Sequence, residues 1–384
     1  MYLKYFLLFL LSFTNVKSTK LENRIRNKIF NNYNPDIRPV LDYNNDVNLS
    51  ISINIKNIEN FNQITETLFL NLWIIMEWND KFLKWDYNKY PIKKLSVNKE
   101  QVWIPDLVLY NAAQKPNQYN IGEYMRLDFN GKIKMIIPLT LAFTCSLDLH
   151  NFPYDKQYCY MEFGSWQYHN KYQYIHSFSE NNTFQQNNKG SEWSITNLKT
   201  ENLNQEYLCC PNEFWSVIKY TIELDRQPKQ YNIFIVMTVL LTITANIINI
   251  FDYKLYTRTY VLIFIPLTII WLLQSISNRV PVIGYFSKMD TILLVSFIVC
   301  ELCTVQSGFL YNLNQNKSYL LKTETDKYHL NYNNSFKKFL LIKDYNFVKY
   351  NDKFFYKFLR TIDRVLRFIL FFTYMIFIIV ITNT

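Results

Sequence analysis

Glycine is scarce: six residues in 384, none of them clustered. A loop that cradles phosphate with consecutive backbone amides is therefore not available. Histidine is rarer, four in all, and together with six cysteines it shows no metal-ligand spacing. Nucleotide-dependent and metal-dependent catalysis have no carrier, so neither an enzyme nor a cofactor or metal site is expected. Acidic residues are the minority charge, giving a formal net charge of +10. That excess needs no nucleic-acid partner, because most of it sits in one segment described below. Aromatics are abundant, with 30 Tyr and 30 Phe.

The distribution of apolar residues is more informative than their total. The start, Met1-Tyr2-Leu3-Lys4 with an apolar run from Phe6 to Phe13 and a polar stretch to Lys20, reads as a signal peptide over 1–19. Secretion implies an oxidising compartment, where Cys145, Cys159, Cys209 and Cys210 can form disulfides. Asn48 and Asn181 head glycosylation triplets. Leu21 to Asn31 has apolar residues at helical spacing, predicting a short amphipathic helix. Up to about Arg226, short runs such as Val47 to Ile55 and Lys132 to Ile137 alternate apolar and polar residues, as an antiparallel sandwich requires.

Beyond that point the texture changes. Ile233 to Phe251, Tyr260 to Ile276, Thr291 to Tyr311 and Phe368 to Thr382 are each close to the length that crosses hydrocarbon. Between the last two, residues 312–367 hold twelve Lys or Arg against five Asp or Glu, which marks a cytoplasmic loop. Four crossings then leave the amino-terminal half outside, in agreement with the signal peptide. The alternating aromatic and basic residues from Asn346 to Arg367 read as a helix entering the membrane beside anionic lipid heads. The expected architecture is a β plus α membrane protein: an immunoglobulin-like extracellular β-sandwich with an N-terminal helix (20–230), then a four-helix transmembrane bundle (231–384).

Several motifs occur in a fixed order. Trp73 precedes Trp78-Asn79-Asp80 and Leu83-Lys84-Trp85, and Trp103-Ile104-Pro105-Asp106 precedes Leu109-Tyr110-Asn111. Cys145 and Cys159 bracket Phe152-Pro153-Tyr154-Asp155, and Phe163-Gly164-Ser165-Trp166 follows. Tyr207-Leu208-Cys209-Cys210, Val280-Pro281-Val282-Ile283 and Ile362-Asp363-Arg364 complete the series. By these motifs the chain resembles the Cys-loop receptors, pentameric ligand-gated ion channels, and within them the nicotinic acetylcholine receptor subunits of alpha type.

The resemblance implies a plasma-membrane, synaptic subunit that binds acetylcholine or a related quaternary amine and opens a cation pore in a homo- or heteropentamer. It implies disulfides Cys145–Cys159 and Cys209–Cys210, the second strained, because adjacent Cα atoms lie about 3.8 Å apart, below the usual disulfide range. It assigns Tyr110, Trp166, Tyr207 and Phe214 to a principal face, and Trp73 to the complementary face of a neighbour. The chemistry suits the residues: a quaternary ammonium cannot donate hydrogen bonds, and each desolvated cation–π contact contributes about 1–2 kcal/mol.

For gating, the resemblance implies coupling through Phe152, Pro153, Tyr154 and Arg226 on one side and Val280 and Pro281 on the other. Asn60, Asn62 and Gln63 stand where an acidic partner for Arg226 is expected. In the pore helix, the matching register puts Arg258 near the cytoplasmic mouth, Ile265 at a hydrophobic gate and Thr268 on the lining, with Pro266 kinking the span. Arg258 would oppose cations in a homomeric ring. Two other readings stay open: a subunit that conducts only in a heteropentamer, and a membrane-anchored, non-gating sandwich for ligand binding or adhesion.

Overall fold

The computed structural model describes residues 20–115, 117–118, 124–177, 182–184, 192–250, 255–282, 284–325 and 352–383. The expected signal peptide, Asn181 and residues 326–351 of the expected loop lie outside the described residues. The chain divides into two compact units, residues 1–148 with 156–227, and residues 149–155 with 228–384.

In the first unit, helix α1 (20–30) precedes the strands, with Ile25 and Ile29 as its buried pair. One sheet runs β10 (Thr183–Phe184), β1 (Val47–Asn62), β2 (Thr67–Asn79), β7 (Lys132–Thr144), β6 (Tyr124–Asp128), β3 (Lys94–Asn98); β9 (Gln173–His176) also pairs β1, and β5 (Asn117–Gln118) pairs β7. The other runs β11 (Trp193–Glu206), β12 (Phe214–Arg226), β8 (Lys156–Gly164), β4 (Val108–Leu109). Period-two alternation makes the core: Leu49, Ile51, Ile53, Leu68, Leu70 and Phe143 from the first sheet meet Cys159, Phe163, Tyr220 and Ile222 from the second. Full burial contributes roughly 1.5–3 kcal/mol per large aliphatic side chain, so this layer is the main force holding the sandwich. The Cys145–Cys159 disulfide joins the end of β7 to β8, and so ties one sheet to the other.

In the second unit, α2 (Lys229–Ile250), α3 (Leu255–Ser277), α4 (Lys288–Thr325) and α5 (Asp352–Asn383) each contain a stretch long and apolar enough to cross a membrane. The helices outrun the predicted spans: α4 continues to Thr325 and α5 begins at Asp352, so both ends of the predicted loop are helical. Apolar runs mark where hydrocarbon could lie, whereas helix propagation needs only backbone hydrogen bonds and carries on into polar sequence. Helix α3 runs on through Pro266.

Polar bonds tie the bundle from inside. Arg367 pairs with Asp363 one turn earlier and donates from Nη1 to the Asn249 carbonyl at 2.8 Å. Gln306 Nε2 donates to Asp363 Oδ1 at 2.6 Å, and Asn249 Nδ2 donates to Gln306 Oε1 at 3.1 Å, linking α2, α4 and α5.

Candidate functional site

Four strand ends of the second sheet meet at one end of the sandwich. There β4 runs out into Tyr110, β8 into Ser165 and Trp166, and the turn between β11 and β12 carries Tyr207 to Phe214. Tyr110 is anchored by its backbone, whose amide donates to the Glu162 carbonyl at 2.8 Å, and by its hydroxyl, which donates to the Ser165 carbonyl at 2.7 Å. Its ring lies across Gly164, where a Cβ would fall 2.5 Å from Cζ, inside van der Waals contact. Glycine at 164 is therefore what admits the ring.

Trp166 is 73% exposed, yet its backbone is held tightly. Oδ2 of Asp106 accepts from the Trp166 amide at 2.7 Å, the Gln167 amide at 2.7 Å and the Ser165 hydroxyl at 2.8 Å. A carboxylate gathering adjacent amides fixes a turn, each charge-assisted bond adding about 1.5–3 kcal/mol. The indole thus stands in solvent on a rigid base, which suits a ring waiting for a ligand.

Tyr207 completes the cluster. Its hydroxyl interacts electrostatically with that of Tyr110, and its ring meets Trp215 edge-on at 5.5 Å. Burial first, then the neighbouring Tyr207, pushes the Tyr110 phenol well above its usual range; burial likewise raises Tyr207. Both stay neutral hydrogen-bonding groups near neutral pH. The Phe214 carbonyl accepts from the Asn170 amide at 2.7 Å, tying the β12 start to the Trp166 loop, and the Phe214 ring is exposed. The turn itself is shaped by Asn212 at φ 68°, whose amide donates to Glu206 Oε1 at 2.7 Å.

Cys209 and Cys210 sit in this turn as free thiols, in contrast to the expected vicinal disulfide. Hydrogen bonding to Cys209 pushes the Cys210 thiol up to about 11. Trp73 lies apart from the cluster, on β2 of the other sheet, 42% exposed and with the Lys56 ammonium 3.6 Å from its ring centroid. Asn48 is exposed on β1.

The acidic partner of Arg226 is Glu192, which precedes β11 and was not singled out in the sequence. Gln63 lies between them: its Oε1 accepts from Arg226 at 3.0 Å and its Nε2 donates to Glu192 Oε1 at 2.9 Å. The guanidinium also stacks 4.1 Å over Trp193.

The loop tip, residues 149–155, belongs to the helical unit. Phe152 is buried against Tyr231 of α2 with centroids 4.8 Å apart, and the Tyr154 hydroxyl donates to Asn232 Oδ1 at 2.7 Å. Pro153, between them, is also buried. His150 stacks on Tyr285 at 3.7 Å, and the Lys288 and Met289 amides donate to the His150 and Phe152 carbonyls. The tip's hydrogen bonds and ring contacts thus run to Tyr285–Met289 and the start of α2, while Val280 and Pro281 are half-buried just past the end of α3.

Arg258, Leu262, Ile265, Ile269, Leu272 and Ile276 form a buried stripe at spacing 4, 3, 4, 3, 4, the face α3 turns toward the other helices. Arg258 is 2% exposed and donates from Nε to Ser307 Oγ of α4 at 2.9 Å. Neither Arg258 nor Ile265 lies on the outer face, which carries Tyr260, Phe264, Leu267 and Trp271. Thr268 is exposed, with its hydroxyl donating to the Ile265 carbonyl.

Comparison with known proteins gives consistent matches. The family model described as neurotransmitter-gated ion-channel ligand binding domain matches residues 22–228. Acetylcholine receptor subunit alpha-1-B of Xenopus laevis is 26% identical over 301 residues, covering 76% of this chain and 66% of its own length. Neuronal acetylcholine receptor subunit alpha-6 of Homo sapiens is 29% identical over 305 residues, covering 76% and 60%. Acetylcholine receptor subunit alpha-type acr-15 of Caenorhabditis elegans is 29% identical over 243 residues, covering 63% and 50%. The chain spans about two thirds or less of the length of these relatives.

Proposed function

The chain belongs to the neurotransmitter-gated ion-channel family, and we propose that it is an alpha-type nicotinic subunit whose Tyr110, Trp166, Tyr207 and Phe214 bind acetylcholine or a related quaternary amine. The family consists of ligand-gated channels and not enzymes. In this reading five subunits surround a cation pore, and the agonist sits between this cluster and a neighbour's Trp73. One observation carries it: Asp106 fixes the backbone beneath an exposed Trp166, while the Tyr110 hydroxyl is tied to the Ser165 carbonyl beside it. Rings held open in water cost hydrophobic free energy unless a ligand covers them.

Agonist opens the pore only if it binds the open state better than the closed one. The Arg226–Glu192–Gln63 cluster and the loop-tip contacts to Tyr231, Asn232 and Tyr285 supply the parts that would transmit its closure. Those loop-tip contacts favour a gated channel over a merely anchored sandwich.

A second reading, conduction only within a heteropentamer, is favoured by the outer face of α3. Tyr260, Phe264, Leu267 and Trp271 are bulky where a water-filled lumen calls for small polar groups. The test is to express the chain alone and with partner subunits in a voltage-clamped cell, apply acetylcholine, and measure current and reversal potential. Current unaffected by chloride replacement supports a cation channel; agonist binding without current, rescued by a partner, supports the heteromeric reading. Trp166→Ala is expected to weaken agonist binding more than tenfold, and unchanged binding removes Trp166 from the site.

A further inference from the structure

Trp73 is the ring that a neighbouring subunit's agonist would meet, yet it already carries a cation. The cause begins in β1, where Val47, Leu49, Ile51, Ile53 and Ile55 alternate inward. Asn54 pairs with Trp73 and Ile55 with Leu72, but the next pair is Asn57 with Asn71, so Lys56 has no partner of its own across the ladder. Such a bulge adds one residue to a strand and re-aims its side chain. Trp73 points outward between the buried Leu72 and Ile74, and the Lys56 ammonium lies 3.6 Å from its centroid.

Two other cation–ring contacts in the sandwich have a carboxylate beside them. Lys219 lies 4.2 Å over Tyr160 and also pairs with Glu162 at 3.7 Å. Arg226 lies over Trp193 and pairs with Glu192. Among the described residues no carboxylate forms an ion pair with Lys56, so the indole is its counterpart. A cation held at contact distance over an indole face takes the place a quaternary ammonium would occupy and repels it by like charge.

We propose that Lys56 caps Trp73 and closes this chain's complementary face to amine agonists, so that the chain serves as a principal-face subunit and needs a different neighbour, without a cation at that place, to complete a high-affinity site. The proposal rests on the reading that Trp73 faces a neighbour's agonist site, and it specifies the partner: a related subunit with an uncapped ring on its complementary face.

The test is saturation binding of radiolabelled acetylcholine to membranes carrying the full chain, alone and with a partner subunit, with surface expression measured in parallel. Lys56→Gln is expected to tighten binding at least tenfold in the chain alone, or to add binding sites per pentamer with the partner. Lys56→Arg, which keeps the cation, stays at the wild-type level. Trp73→Ala abolishes the gain in the Lys56→Gln background. If Lys56→Gln binds like wild type while Trp166→Ala still loses binding, the capping proposal is overturned and the agonist cluster stands. If neither substitution changes binding, or no assembly binds acetylcholine, the agonist reading falls and the proposal falls with it.

Discussion

The sandwich and the helical unit both use polar bonds to position aromatic and apolar side chains, but they aim them differently. In the sandwich, Asp106 and the Ser165 carbonyl hold Trp166 outward and Tyr110 half-covered at one end of a sheet. In the helices, Arg258 to Ser307 and the Asp363–Arg367–Gln306 cluster pull polar groups inward, leaving Phe264, Leu267 and Trp271 outside. A polar residue beside aromatics therefore marks the proposed ligand site in one unit and a packing seam in the other. The deciding factor is which face of the element carries the polar group.

The sharpest test of that contrast is Arg258→Glu. A carboxylate placed where a guanidinium donates to Ser307 would be a buried charge with no donor cation, a loss of about 3–5 kcal/mol. Surface expression is expected to collapse. Normal expression with increased cation permeability would instead place residue 258 in the lumen and break the contrast. Next in size is Asp106→Ala, which removes the acceptor of three bonds beneath Trp166. Allowing for relaxation and water replacement, about 2–3 kcal/mol remains, or roughly thirty- to hundredfold in agonist affinity. Asp106→Asn, which keeps an oxygen acceptor, should lose less; equal losses would mean that charge and not turn geometry matters. Gly164→Ala follows: the added methyl forces Tyr110 aside, and about tenfold weaker binding with normal expression is expected.

Much of the sandwich was legible because a strand has period two and the motifs sit at strand ends. Alternation gave β1 and β7, and the resemblance named Tyr110, Trp166 and Tyr207 together. What stayed hidden depended on register. Glu192 meets Arg226 because Trp193 pairs with Arg226 across β11 and β12, which no local pattern near Gln63 reveals. Lys56 reaches Trp73 through a one-residue bulge, and sequence alternation carries no sign of it. Asp106 and Gly164 were visible inside motifs, but their roles, accepting from a loop and yielding space to a ring, are properties of contacts. In α3 nearly every residue is apolar, so hydropathy shows the span and not its phase. That is why the 4, 3, 4, 3, 4 stripe that buries Arg258 and Ile265 emerges only from packing.

The smallest expected effect separates ring from hydroxyl within the cluster. Tyr110→Phe keeps the ring over Gly164 and deletes the donor to the Ser165 carbonyl. A neutral hydrogen bond contributes about 1 kcal/mol net, which corresponds to roughly fivefold in affinity. If Tyr110→Phe costs as much as Trp166→Ala, measured by the same acetylcholine binding, then the hydroxyl network holds the agonist site open. The rings alone would then be insufficient, and polar positioning would govern the sandwich as strictly as it governs the helices.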